Sequence, residues 1–266
     1  MWGICSDAGD LTQRRNCDTI SPMKYQETYE VSCHDVDVNN NMRPSLVLRY
    51  MQDVANHQMR DRKPSYLELF AEGKSFVLTR VTIEIFEQLH QYDPIVVSSW
   101  SCPGKGATFI RCYTIEREGK LAAKAYSEWA VSNRETGKLC KLSEVDISNY
   151  DEGPILDMSE PTRFRLPKDV AFTQVGKKHI DYSDVDMNLH MNNTNYPDML
   201  WNHIPHVMEK EVTSINLRFA KEAPFDGEVD IHMGQVEDTY LFRTTVNGET
   251  NVEAIIKTRA LETANE

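Results

Sequence analysis

Residues 184 to 193 read DVDMNLHMNN. Asp186, Asn188 and His190 alternate along this run, so an extended segment projects a carboxylate, an amide and an imidazole to one side. Those groups suit hydrolysis by an activated water. A carboxylate or imidazole takes the water's proton, and hydrogen-bond donors hold the oxyanion that forms at the attacked carbonyl. A helix starting just downstream would add free backbone N–H groups and a partial positive charge. No covalent nucleophile is required.

Other chemistries fit the run less well. It begins like a calcium loop, but that loop needs glycine at its sixth position and glutamate at its twelfth. Leu189 and Asn195 stand there. Asn192-Asn193-Thr194 fits a glycosylation sequon, which has meaning only in a secreted chain. His203 and His206 lack further zinc ligands at sensible spacing. The plainest alternative is an Asx-rich turn, in which aspartate and asparagine bond their own backbone.

A second stretch sharpens the choice. DVDVNNNM at 35–42 matches DVDMNLHM at an offset of 149 residues, with Asn41 where His190 stands. The upstream copy reads as turn chemistry alone. The repeat extends beyond the loops. PSLVLRYMQDVANHQ (44–58) carries the helical stripe Val47, Tyr50, Met51 and Val54, and TNYPDMLWNHI (194–204) is a shorter helical candidate. Pro197 disfavours a helix already running by residue 193, so the second helix starts later or is kinked. Alternating strands follow in each half, over 76–100 and 211–233. Two hairpins turn at Glu118-Gly119 and Asn247-Gly248.

One helix against a strongly amphipathic sheet buries its apolar face most simply if the sheet wraps around it. The expected fold is therefore α+β, a tandem (double) hotdog with two antiparallel sheets, each wrapped around a main helix. The expected divisions are an N-terminal extension (1–22), a first half (23–147), a Pro-rich linker (148–173) and a second half (174–266).

Composition limits the rest. The chain has 266 residues, 40% hydrophobic and 26% charged, as in ordinary soluble domains. A net charge of −12 argues against a nucleic-acid-binding surface. No apolar run approaches a membrane span, and residues 1–22 lack a secretory h-region, so the expected location is cytoplasmic. The six cysteines show no CxxC spacing and are expected to be reduced. No metal or cofactor is expected.

With its motif and layout, nearly the whole chain from about residue 25 to 260 resembles the acyl-ACP thioesterases, double-hotdog enzymes that end fatty acid synthesis in plants and some bacteria. DVDMNLHMNNTNY is similar to that family's signature, which implies Asp186, Asn188 and His190 as active-site residues. LRFAKEA (217–223) resembles the segment that supplies a glutamate, implying Glu222 as general base with His190 and Asp186 polarising it. Asp186 as the base is the alternative. Ala223 stands where plant members carry a cysteine, so a cysteine-based mechanism is excluded there and water must attack directly.

The resemblance implies acyl carrier protein as partner and a fatty acyl chain held in the first half, between the 44–58 helix and strand 76–86. The carrier is acidic, so a local basic patch is expected, with Arg163, Arg165, Lys168, Lys177 and Lys178 as the candidate. Arg60, Arg62 and Lys63 form a second basic group. Two other readings stand beside this one: an acyl-CoA thioesterase of the same mechanism, and a non-catalytic acyl-binding hotdog protein. Oligomeric state is left open, with a homodimer as one option.

Overall fold

The apolar stripe at Val47, Met51 and Val54 forms the buried face of a 19-residue helix, α1 (Pro44–Arg62). Pro44 opens it, where a fixed φ and a missing N–H cost nothing. Arg43 makes no side-chain cap. Asp198, from the other half of the molecule, accepts from Ser45 N at 2.8 Å and Ser45 Oγ at 2.6 Å. It thereby satisfies an orphan donor of α1's first turn.

The computed structural model describes residues 24–261; the N-terminal extension expected over 1–22, with Cys5 and Cys17, lies outside the described residues. The first half contains β1 (Tyr25–Glu30), α1, α2 (Tyr66–Ala71), β2 (Lys74–Ile85), β3 (Pro94–Lys105), β4 (Thr108–Arg117), β5 (Lys120–Asn133) and the short β6 (Leu139–Cys140). The second contains β7 (Thr173–His179), α3 (Tyr196–Trp201), β8 (Lys210–Phe219), β9 (Glu228–Val236), β10 (Thr239–Val246) and β11 (Glu249–Ala260).

The strand order is β1-β3-β4-β5-β2-β8-β11-β10-β9-β7, with β6 beside β5. Read outward from its centre, this order runs the same way in both halves. The two expected sheets are therefore one continuous sheet. β2 and β8 pair antiparallel, with Ile83 opposite Ile215 and Val81 opposite Leu217. Joining the half-sheets here removes two exposed strand edges at once. α1 and α3 both contribute to the apolar core beneath, which is shared by the two halves. Glu118-Gly119 and Asn247-Gly248 all have positive φ (50°, 75°, 51° and 79°), as tight two-residue hairpin turns require.

The second half carries no counterpart to α1 in length. A 3₁₀ turn occupies Asn193–Asn195, and α3 follows for six residues with Pro197 in its first turn. The expected late start is what the chain adopts. The segment expected as a linker is pinned to the sheet. Trp100 Nε1 donates to Pro154 O at 2.8 Å, and Glu160 N donates to Glu84 Oε1 at 2.7 Å. Leu156 and Met158 pack on Trp100, Cys102, Cys112 and Tyr126. Gly153 allows the close approach, since a Cβ there would sit 2.5 Å from the Trp100 ring.

Candidate active site

The two repeated loops share a backbone ladder, bond for bond. Asp186 N donates to His190 O at 3.0 Å, and Asp37 N donates to Asn41 O at 2.8 Å. Leu189 N reaches Asp186 O at 3.0 Å, and Asn40 N reaches Asp37 O at 3.1 Å. Leu189 and Asn40 both take left-handed φ values, 60° and 61°. Asn188 N donates to Asp186 Oδ1 at 2.8 Å, and Asn39 N to Asp37 Oδ1 at 2.9 Å. The Asx-turn reading is thus correct for both copies, and Asp186 serves as the organiser of its turn.

The ladder also aligns a second pair of segments. Met191 N donates to Ala223 O at 2.8 Å, and Met42 N donates to Leu89 O at 2.7 Å. Glu222 therefore corresponds to Gln88. In the first half, both candidate proton-transfer residues are amides, Asn41 and Gln88. Gln88 is buried and donates to Val212 O at 2.9 Å. The sequence contained this second equivalence, but only backbone register exposes it, because the intervening spacing differs between halves.

His190 pairs with Pro224 as an antiparallel bridge. By the alternation of extended chain, Glu222 then lies diagonally from His190 on the same face, a Cα separation of roughly 7–8 Å that long side chains span. The two residues line one cavity of about 530 Å³ together with Asp186 and Asn188. Among the described residues, His190 and Glu222 line this cavity without a hydrogen bond between their side chains. Glu222 is exposed and His190 half-buried. Ala223 points the other way, into the core, at 2% exposure. A cysteine at this position would face away from His190.

Asn188 is fixed from two sides. Its Nδ2 donates to the Tyr66 hydroxyl at 3.1 Å and lies 3.4 Å from Asp186 Oδ2. Tyr66 sits on α2 of the first half, so the 184–193 loop is held from across the molecule. Neither a motif nor a spacing marks Tyr66 in the sequence; its nearest signal is the Ser65…Glu68 capping box that starts α2. The expected row of free helix N–H donors is mostly used up. Thr194 N donates to Asn192 Oδ1 at 2.9 Å, and Asn195 N to Asn192 O at 3.0 Å. Asn193 N–H has no partner among the described residues, while its Oδ1 accepts from Gln52 Nε2 at 2.7 Å.

A second cavity, about 600 Å³, opens from the same loop into the first half. Phe76, Asp186, Asn188 and Asn193 line both. Its walls include Ala55, Met59, Phe76, Phe109 and Trp129, from α1 and strands β2, β4 and β5. Among the described residues, no cluster of three or more His, Cys, Asp or Glu could hold a metal ion. No described helix is long and apolar enough to cross a membrane. The cysteines described, Cys33, Cys102, Cys112 and Cys140, are all free.

The candidate basic patch is largely paired. Arg163 binds Glu128 at 3.1 Å, Lys177 binds Glu228 at 2.5 Å, and Lys178 binds Asp184 at 2.6 Å. Arg165 and Lys168 are exposed and form no ion pair among the described residues.

A duplicated hotdog whose second half alone holds a histidine and a glutamate on one cavity wall defines the class: a tandem hotdog protein with a one-sided site. Family comparison gives the family. The acyl-ACP thioesterase N-terminal domain matches residues 22–150 and the C-terminal domain matches residues 168–260, so the chain belongs to the acyl-ACP thioesterase family. An oleoyl-acyl carrier protein thioesterase of Coriandrum sativum chloroplasts is 24% identical over 80% of this chain and 63% of its own length. A palmitoyl-acyl carrier protein thioesterase of Arabidopsis thaliana is 23% identical over 76% of this chain and 53% of its own. The chain thus spans less than two thirds of these relatives. The fold is that of an acyl-ACP thioesterase from Bacteroides thetaiotaomicron, with a TM-score of 0.75, 22% identity, and coverage of 88% of this chain and 97% of that one. A 12:0-ACP thioesterase from Umbellularia californica superposes at a TM-score of 0.78 with 14% identity, over 90% of this chain and 98% of that one.

Proposed function

We propose that this chain hydrolyses fatty acyl thioesters of acyl carrier protein, releasing free fatty acid and the carrier. The observation that carries the reading is the asymmetry of the two ladders: His190 and Glu222 share a cavity in one half, and amides replace both in the other. A binding module built on the same fold would have no need of that difference.

In the reaction, the acyl chain lies in the first-half cavity and the thioester carbonyl sits at the rim the two cavities share. Glu222 takes a proton from water, with His190 orienting that water. The water oxygen bonds to the carbonyl carbon, and the electron pair moves to the carbonyl oxygen. Asn193 N–H is the donor available to that oxyanion, worth about 10²–10³ in rate for a well-placed group. The intermediate collapses, the C–S bond breaks, and the proton passes to the thiolate. Glu222 is favoured over Asp186 as base because the Asp186 carboxylate accepts the turn bond from Asn188 N, as Asp37 accepts from Asn39 N in the half that lacks the histidine. The Glu222 carboxylate has no such structural duty. Arg165 and Lys168 are the cations of that patch without an ion pair among the described residues and are assigned to docking an acidic carrier, and Arg60 and Lys63 border the acyl cavity.

The test is steady-state hydrolysis of matched acyl-ACP and acyl-CoA thioesters. Glu222→Ala and His190→Ala should each lower kcat by about 10²–10⁴. Full activity in Glu222→Ala removes it as the base. Faster turnover of the CoA ester would reassign the substrate, and no hydrolysis by the native chain at any acyl length would leave the binding-module reading.

A further inference from the structure

Four large apolar side chains stand exposed around the 184–193 loop. Leu67, Met187, Leu189 and Phe225 have exposures of 64%, 55%, 65% and 50%. The bonds of the site gather them. Met187 and Leu189 flank Asn188, whose Nδ2 donates to the hydroxyl of Tyr66, the neighbour of Leu67. Phe225 N donates to Leu189 O at 2.9 Å. Leu67 and Met187 also line the first-half cavity, so they form part of its rim.

The turn itself does not require these residues. The matched turn of the first half has Asn40 where Leu189 stands, and both take left-handed φ. Asparagine tolerates that conformation, whereas a leucine there is strained. Extending the match of Ala223 with Leu89 sets Phe225 against Gln91, whose N donates to Asn40 Oδ1 at 3.1 Å. At both positions a polar residue serves the fold in one half. In the half that carries His190 and Glu222, an apolar one faces solvent instead. The first-half turn exposes Val38 and Tyr92, but these line neither cavity.

Clustered exposed apolar groups beside a site mark a surface that a partner covers. A cation adjoins this one. Arg134, on the wall of the His190 cavity, lies with its guanidinium 3.4 Å over the ring of Phe70 and forms no ion pair among the described residues. Phe70 is three residues from Leu67 on α2, on the same side of the helix. An apolar ridge with a cation at its border suits an acidic protein surface better than the phosphates of a nucleotide.

We propose that the ridge of Leu67, Met187, Leu189 and Phe225 is where the acyl carrier protein seats while its thioester enters the site. The inference rests on the thioesterase reading, and it adds an apolar contact to the cations assigned above. A second copy of this chain is the competing occupant.

The test is a double variant, Leu189→Asn with Phe225→Gln, which installs the residues of the other half and so keeps both turns. Its KM for an acyl-ACP should rise about tenfold with kcat little changed. Hydrolysis of the same acyl group on N-acetylcysteamine, which brings no carrier, should be unaffected. Tyr92→Ser, on the matching turn, should alter neither. An unmoved KM for acyl-ACP overturns the proposal, as does an equal loss on both substrates or an equal effect of Tyr92→Ser. Light scattering checks the competitor: a native dimer that the double variant dissociates assigns the ridge to a second copy and overturns carrier docking. Should the native chain hydrolyse nothing, fluorescence anisotropy of labelled acyl carrier protein decides. Binding that weakens in the double variant supports the proposal, and binding that is unchanged or absent in the native chain overturns it.

Discussion

Tyr66 and Asn188 show how much of this site depends on contacts between halves. Tyr66→Phe deletes the acceptor of one hydrogen bond, about 1 kcal/mol, so kcat should fall roughly fivefold with KM little changed. If Tyr66 acts through Asn188 rather than through its contact with Ser75 or its place on the cavity wall, Tyr66→Phe should add nothing further in an Asn188→Ala background; an additive loss would give the phenol its own role. That Asp186, Asn188 and His190 would come to one cavity was legible in the sequence because alternation and a repeated motif are local signals. Their division of labour was less so. Asp186 turned out to be committed to its turn, a role that only its identity with Asp37 made plain. The Tyr66 contact spans 122 residues, and no period or spacing encodes it.

At the scale of elements, α2 is the short helix that presents Tyr66. Ser65 accepts from Glu68 N, and Glu68 accepts from Ser65 N at 2.7 Å, closing both ends of a capping box. Ser65→Ala should cost about 1 kcal/mol and lower kcat with it. The Ser65 N–H holds the Glu68 carboxyl at a pKa of about 2, with Lys63 assisting. A folded-state pKa below the unfolded value of about 4.3 stabilises fully above that value, and the gain disappears as pH falls through about 2. The melting-temperature gap between wild type and Glu68→Ala should therefore be constant near neutrality and narrow as pH is lowered from about 4 toward 2. A gap that widens there would contradict the cap. The helices and hairpins were readable from apolar spacing and from Glu118-Gly119 and Asn247-Gly248. The brevity of α3 followed from Pro197. That β2 and β8 would fuse two sheets into one was not readable, because an edge strand and a paired one share the same alternation.

Across the whole molecule, the halves are tied by the β2–β8 seam and by a row of contacts from α1. Asp198 caps Ser45, Arg49 Nη2 reaches Asn195 Oδ1 at 2.6 Å, and Gln52 reaches Asn193. Asp198→Ala should cost about 1–2 kcal/mol and lower Tm by roughly 2–8 °C in a single transition. Two separate transitions would mean the halves melt independently. The same row has a consequence for anyone reshaping the protein. One face of α1 grips the turn at Asn193–Asn195, while Ala55 and Met59, one and two turns further on, form cavity wall. On the proposed reading, recutting the cavity along α1 to accept a different chain length would therefore also retune the turn assigned to the carbonyl, and selectivity and turnover would drift together. Among the described residues, the walls at Phe109 and Trp129 make no hydrogen bond to that turn, so on the same reading they are the place to redesign chain length with the chemistry left alone.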